Sequence, residues 1–229
     1  QKRVATPHRL PLVYSLPMSR RLPVYILIDT SGSMRGEPIE AVKVGLSDMV
    51  ASLRVDPFAL ETVCISIITF DRSVQQVLPL TELARLQVPD IQCPESGPTF
   101  LGGALQLLCE CYDKELRSGS PERKGDWMPL LFVLTDGKPS DVQEYARGVE
   151  SVKQRSFLNI VACAAGPKAQ VESLTRLTEH VYTLETMDPA TFKRFFQWVT
   201  VNVRQGGRTV GITGNTSLPA PPQEVNIVL

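Results

Sequence analysis

The 229-residue sequence predicts an α/β fold: one doubly wound domain with a mostly parallel central sheet, one antiparallel edge strand and helices on both faces. Two short continuous apolar runs, Val24-Tyr25-Ile26-Leu27-Ile28 and Leu130-Leu131-Phe132-Val133-Leu134, fit strands buried on both faces. Between such runs lie apolar stripes at helical spacing, as in Ile39, Val42, Leu46, Met49, Val50 and Leu53. Strand alternates with helix along the chain, which calls for parallel pairing through crossover helices.

Taken in order, residues 1–22 carry Pro7, Pro11, Pro17, Arg20 and Arg21 without a sustained period and read as an irregular lead-in. The first strand follows, then a loop with Gly32 and Gly36, and a helix opening at Glu37-Pro38, where a proline's missing N–H costs nothing. Val63 to Phe70 and Ser73 to Leu80 read as two strands joined only by Asp71-Arg72. Such a short connection makes an antiparallel hairpin, and Gln75-Gln76 suits a sheet edge.

Beyond a proline-punctuated stretch, a helix is expected from about Thr99, with Leu101, Ala104, Leu105, Leu108, Tyr112 and Leu116 on one face. After a polar loop at 118–126 come a strand ending in Thr135-Asp136-Gly137, a helix over 140–155 and a strand over 158–165. A short helix near 168–178, a strand near 180–184 and a helix over 189–204 complete the domain, assigned to residues 23–204. On that last helix Phe192, Phe195, Phe196 and Trp198 read as core, while Lys153, Arg155, Arg194 and Arg204 read as solvated faces.

Residues 205–229, with Gly206-Gly207 and Pro221-Pro222, read as a mobile tail. Thr209, Thr213, Thr216 and Ser217 there are candidate phosphate acceptors. Alternatively, Val225 to Leu229 adds a strand to a sheet edge.

Composition narrows the function. Twenty-four basic residues balance 24 acidic ones, so charge gives no reason to expect nucleic acid or a membrane surface as partner. No apolar run is long enough to span a bilayer and no signal peptide is visible. The five cysteines are odd in number and scattered, which speaks for free thiols in a cytoplasmic setting. Cys109-x-Cys111 lacks the second ligand pair that zinc needs.

In a doubly wound sheet, ligands bind beyond the carboxyl ends of the strands. Three segments end there: Asp29-Thr30-Ser31-Gly32-Ser33, Gly97-Pro98-Thr99 and Thr135-Asp136-Gly137. They bring two carboxylates, Asp29 and Asp136, and three hydroxyls, Ser31, Ser33 and Thr99, to one end of one sheet. Hard oxygens suit Mg²⁺, with Mn²⁺ or Ca²⁺ as substitutes, and no sulfur or imidazole competes. Each piece alone is ordinary turn or capping chemistry; the matching topological positions give the set its weight.

With those residues in view, 24–204 resembles a von Willebrand factor type A domain, and the five side chains match its metal-ion-dependent adhesion site. The flanking text, Arg21-Leu22-Pro23-Val24-Tyr25, Gly36-Glu37-Pro38-Ile39 and Thr135-Asp136-Gly137-Lys138-Pro139, is similar to the bacterial TerY-like branch. That branch is associated with tellurium-resistance and stress gene clusters and linked with a protein kinase and a protein phosphatase. The resemblance implies a non-catalytic interaction module whose metal captures an Asp or Glu of a partner protein, within phosphorylation-based signalling.

The competing class is a metal-dependent phosphohydrolase with Asp29 as nucleophile. Its expected general acid, two residues on, is replaced by Ser31, which has no proton to give at neutral pH. The glycines around Ser33 do not form a nucleophile elbow, and neither His8 nor His180 lies in a segment expected to reach it. No catalytic residue is therefore assigned.

Overall fold

Eight buried residues form β1 (Leu22–Asp29), and their alternation divides the molecule: Val24, Ile26 and Ile28 enter one apolar cluster, Tyr25 and Leu27 the other. The computed structural model describes residues 20–122, 124–167, 169–209, 217–223 and 225–227. The lead-in up to residue 19, together with His8, Thr213 and Thr216, lies outside the described residues.

After β1 come α1 (Glu37–Arg54), α2 (Pro57–Thr62), β2 (Val63–Phe70), β3 (Val74–Glu82), α3 (Leu101–Glu115) and β4 (Leu130–Thr135). Then follow α4 (Val142–Lys153), β5 (Asn159–Ala165), α5 (Val171–Thr175), β6 (Val181–Leu184), α6 (Pro189–Thr209) and β7 (Val225–Ile227). The strands form one sheet in the order β3-β2-β1-β4-β5-β6-β7. β2, β1, β4, β5 and β6 run parallel, while β3 and β7 pair antiparallel at the two edges.

Helices cover both faces. α1 packs on α6 over one face, and α3 packs on α4 over the other. Phe192, Phe195, Phe196 and Trp198 of α6 are at most 4% exposed, so the aromatic stripe is core as expected. From β1 the chain turns one way to β2 and β3, then crosses to β4 on the other side of β1. The order reverses between β1 and β4, and that crevice is where such sheets bind ligands.

The structure departs from the expectations in several places. α2 was not anticipated; its start is built by Asp56, whose carboxylate accepts from the N–H groups of Phe58 and Ala59, with Pro57 in the first turn. α6 runs past residue 204 to Thr209, and in the stretch read first as a tail the alternative of an added edge strand holds for Val225–Ile227. Trp198 Nε1 donates to the Pro219 carbonyl at 3.0 Å, and Val225 is buried as β7 pairs with β6. The sheet therefore has a second antiparallel edge strand besides the expected one.

Arg155 and Arg204 are not simply solvated. Arg155 grips Asp113 through two nitrogens, and Arg204 donates to the Ser52 carbonyl across the α1–α6 contact. All five cysteines are free, and burial holds Cys111 up at about 11.

Candidate functional site

The site grows from the last residue of β1. Asp29 is fully buried, held there because its strand is central and covered on both faces. Its Oδ1 accepts the Ser31 N–H at 2.8 Å and its Oδ2 the Thr135 hydroxyl at 2.6 Å. The first bond bends the chain out of the strand; the second ties the end of β1 to the end of β4. Burial pushes the Asp29 carboxyl up to about 6, against the pull of those hydrogen bonds, and the nearby charge of Asp136 raises it further. Among the described residues no ion pair includes Asp29.

Beyond Asp29 the loop curls into a short 3₁₀ turn over Gly32–Met34, with Met34 buried as its anchor. The turn sets the hydroxyls of Ser31 and Ser33 3.3 Å apart, Ser31 buried and Ser33 exposed. Asp136 follows β4 directly and is 4% exposed; it and Ser33 line the same cavity.

Thr99 reaches the site from the third segment. Its N–H donates to the Ser140 hydroxyl at 3.1 Å, and the Ser140 N–H returns to the Thr99 carbonyl at 2.9 Å. A β-carbon on Gly137 would come within 3.1 Å of the Thr99 hydroxyl, so the residue after Asp136 has no side chain in the way. The structure thus gathers all five expected side chains at the carboxyl end of the sheet, in the crevice between β1 and β4.

Three supporting residues escaped the sequence reading. Asp71, read only as part of a hairpin turn, accepts the Thr30 hydroxyl at 2.8 Å and the Ser73 N–H, while its carbonyl takes the Phe100 N–H. Asp141 accepts the N–H groups of Gly102 and Gly103 at 3.1 and 2.8 Å, closing the start of α3 from the neighbouring loop. Ser140 completes the clasp. Ser-Asp directly before a helical stripe was the available signal, but it points to a cap on α4, whereas the carboxylate caps α3.

Two carboxylates with three neutral hydroxyls make an oxygen-only donor set. Among the described residues no three His, Cys, Asp or Glu side chains are placed to hold a metal ion by themselves, so a thiolate or imidazole centre is not what this end offers. Cys93 stands near enough to feel Asp29, yet burial holds its thiol up at about 11, protonated and a poor ligand. His180 precedes β6 and so stands at the opposite end of the sheet. The donors present fit a hard divalent cation.

The model of the von Willebrand factor type A domain matches residues 24–197. Matrilin-1 of Bos taurus is 31% identical over 176 residues, covering 73% of this chain and 31% of that protein. The chain thus spans about a third of the length of that relative. Proximal thread matrix protein 1 from the mussel byssus superposes with a TM-score of 0.61 at 14% identity, over 82% of this chain and 49% of that one. The same mussel protein with a zinc-occupied MIDAS motif gives 0.56 at 16% identity, over 82% and 47%. At those identities the structural likeness concerns the fold. No helix among the described residues is long and apolar enough to cross a membrane.

Proposed function

The chain belongs to the von Willebrand factor type A family, and on that premise we propose that it is a metal-dependent protein-interaction module and not an enzyme. Asp29, Ser31, Ser33, Thr99 and Asp136 hold a divalent cation, Mg²⁺ by preference, with Mn²⁺ or Ca²⁺ able to substitute. The observation that carries the reading is a buried Asp29 held by hydroxyls and a backbone N–H beside Asp136, with no arginine or lysine paired to Asp29 among the described residues. The cation, when bound, offers a coordination place to an Asp or Glu of a partner protein.

The protein's own residues then act as a fixed frame. Thr135 and the Ser31 N–H orient Asp29, and the Ser140–Thr99 and Asp141–α3 bonds hold the opposite wall. We assign the module to the TerY-like, tellurium-resistance and stress-associated branch, scaffolding a kinase and a phosphatase in the bacterial cytoplasm. The flanking motifs Gly36-Glu37-Pro38-Ile39 and Thr135-Asp136-Gly137-Lys138-Pro139 support the branch, and five free thiols support a reducing compartment.

The test is capture of the associated kinase and phosphatase by wild type and by Asp29→Ala, with and without chelator, alongside a phosphatase assay of the protein itself. Capture that is lost in chelator and in the variant, without turnover, supports the proposal. Equal capture in all conditions refutes it, and Mg²⁺-dependent turnover would favour the hydrolase.

A further inference from the structure

Beside the cation-site residues lies a cavity of about 210 Å³, lined by Ser33, Asp136, Ala165, Gly166, Pro167 and Met187. Its two polar residues form one wall and belong to the candidate site. The remaining walls come from the turn after β5 and from the loop after β6, and they are apolar. Gly166 has φ +78°, which permits the sharp turn out of β5, and its N–H donates to the Leu184 carbonyl at 2.8 Å. Met187 closes over that turn: a β-carbon on Gly166 would lie 3.1 Å from its Cγ and Sδ.

We propose that this cavity receives one apolar side chain, leucine or methionine, adjacent to the acidic residue that a partner protein presents at the cation site. The inference rests on the function proposed above and names the partner's sequence chemistry. Three observations carry it. The cavity is continuous with Ser33 and Asp136, so a chain anchored there by a carboxylate has its neighbouring residue within reach of Met187. The volume is below the roughly 300–1,000 Å³ of small-molecule pockets, which suits a single side chain. Met187, half-buried and unbranched, is a wall that adapts to an apolar guest. An acidic residue alone would leave the apolar walls wet; an apolar residue alone would lack the anchor.

The probes are two blocked peptides, acetyl-Gly-Glu-Leu-Gly-amide and acetyl-Gly-Glu-Gly-Gly-amide, titrated into full-length protein with ¹³C-labelled methionine methyls in Mg²⁺ or chelator. The Met187 methyl resonance is expected to move with the leucine peptide in Mg²⁺. That peptide should bind at least about tenfold more tightly than the glycine peptide, the scale of burying one leucine side chain. Met187→Ala should erase the preference and Met187→Leu should keep it. Equal, Mg²⁺-dependent affinity of the two peptides overturns the cavity proposal and leaves carboxylate capture standing. A Met187 resonance that moves with neither peptide also overturns it, and titration with Mg²⁺ alone then shows whether the cation site fell too. Leucine-peptide binding unchanged in chelator overturns the reading on which the proposal rests.

Discussion

The two ends of β1 treat buried carboxylates in opposite ways. Before its first residue, Arg21 grips both oxygens of Asp126 at 2.9 and 2.6 Å, and the Arg117 N–H adds a further bond. Beside them Glu115 accepts from Tyr25, Gln76 and the Leu80 N–H. At the other end Asp29 is held by hydroxyls and an N–H, with no cationic partner among the described residues, and burial lifts it to about 6. The fold supplies a guanidinium at Asp126 and, among the described residues, none at Asp29, the carboxylate proposed to serve binding. One end is satisfied from within the chain; the other is where we propose that a cation binds.

The largest expected effect lies at the satisfied end. Arg21→Ala leaves Asp126, whose side chain is 4% exposed, without its counter-charge, and should cost about 3–5 kcal/mol in urea unfolding. A double replacement, Arg21→Met with Asp126→Leu, should recover most of that loss. If the single variant is neutral, the contrast between the ends fails.

Next in size, and opposite in sign, is Asp29→Asn. In chelator at pH 7 the folded protein must keep an ionised carboxylate that its surroundings disfavour. The amide should therefore stabilise the protein by roughly 2–3 kcal/mol, the equivalent of a rise from 3.8 to about 6. The pH dependence follows from that rise. Between the ordinary carboxylate value and about 6 the folded state holds more protons than the unfolded one, so wild-type stability falls as pH increases through this window. Thermal melts of wild type minus variant should show that fall, and a flat difference across pH 3–7 would remove the argument.

Smaller effects test the frame. Asp141→Ala strips the start of α3 of its acceptor and should cost about 1 kcal/mol, while also weakening cation binding through Thr99. Asp188 lies at the same end of the sheet but caps α6, accepting from Thr186 and from Thr191, which hold it down at about 2. Asp188→Ala should likewise cost about 1 kcal/mol, with that contribution lost in wild type as pH falls from about 4 towards 2. Unlike Asp141→Ala, it should leave cation binding intact.

These residues also mark how far the sequence can be read. β1, β4 and α1 announce themselves because burial on two faces, or on one, writes a local period into the chain. Four of the five candidate ligands were found because they follow a buried strand, and Thr99 because it stands just before the apolar stripe of α3. Asp71, Ser140 and Asp141 were not, because their partners stand across loops: Asp71 holds Thr30, and Asp141 holds a helix that precedes it in sequence. Through-space clasps leave no period. α2 hid behind its brevity, although Asp56-Pro57 is a helix-start signal. β7 was legible only as an alternative to a mobile tail, since three residues beyond a proline-rich stretch carry little strand pattern, and pairing with β6 decides it.

The central question is whether Asp29, without a cationic partner among the described residues, marks a cation site. Calorimetric titration of Mg²⁺ into chelator-stripped wild type, Asp29→Asn, Asp136→Asn and Asp188→Ala tests that most directly. One saturable site is expected in wild type and in Asp188→Ala, and none in the other two. Equal binding in all four proteins, or none in wild type, would contradict it.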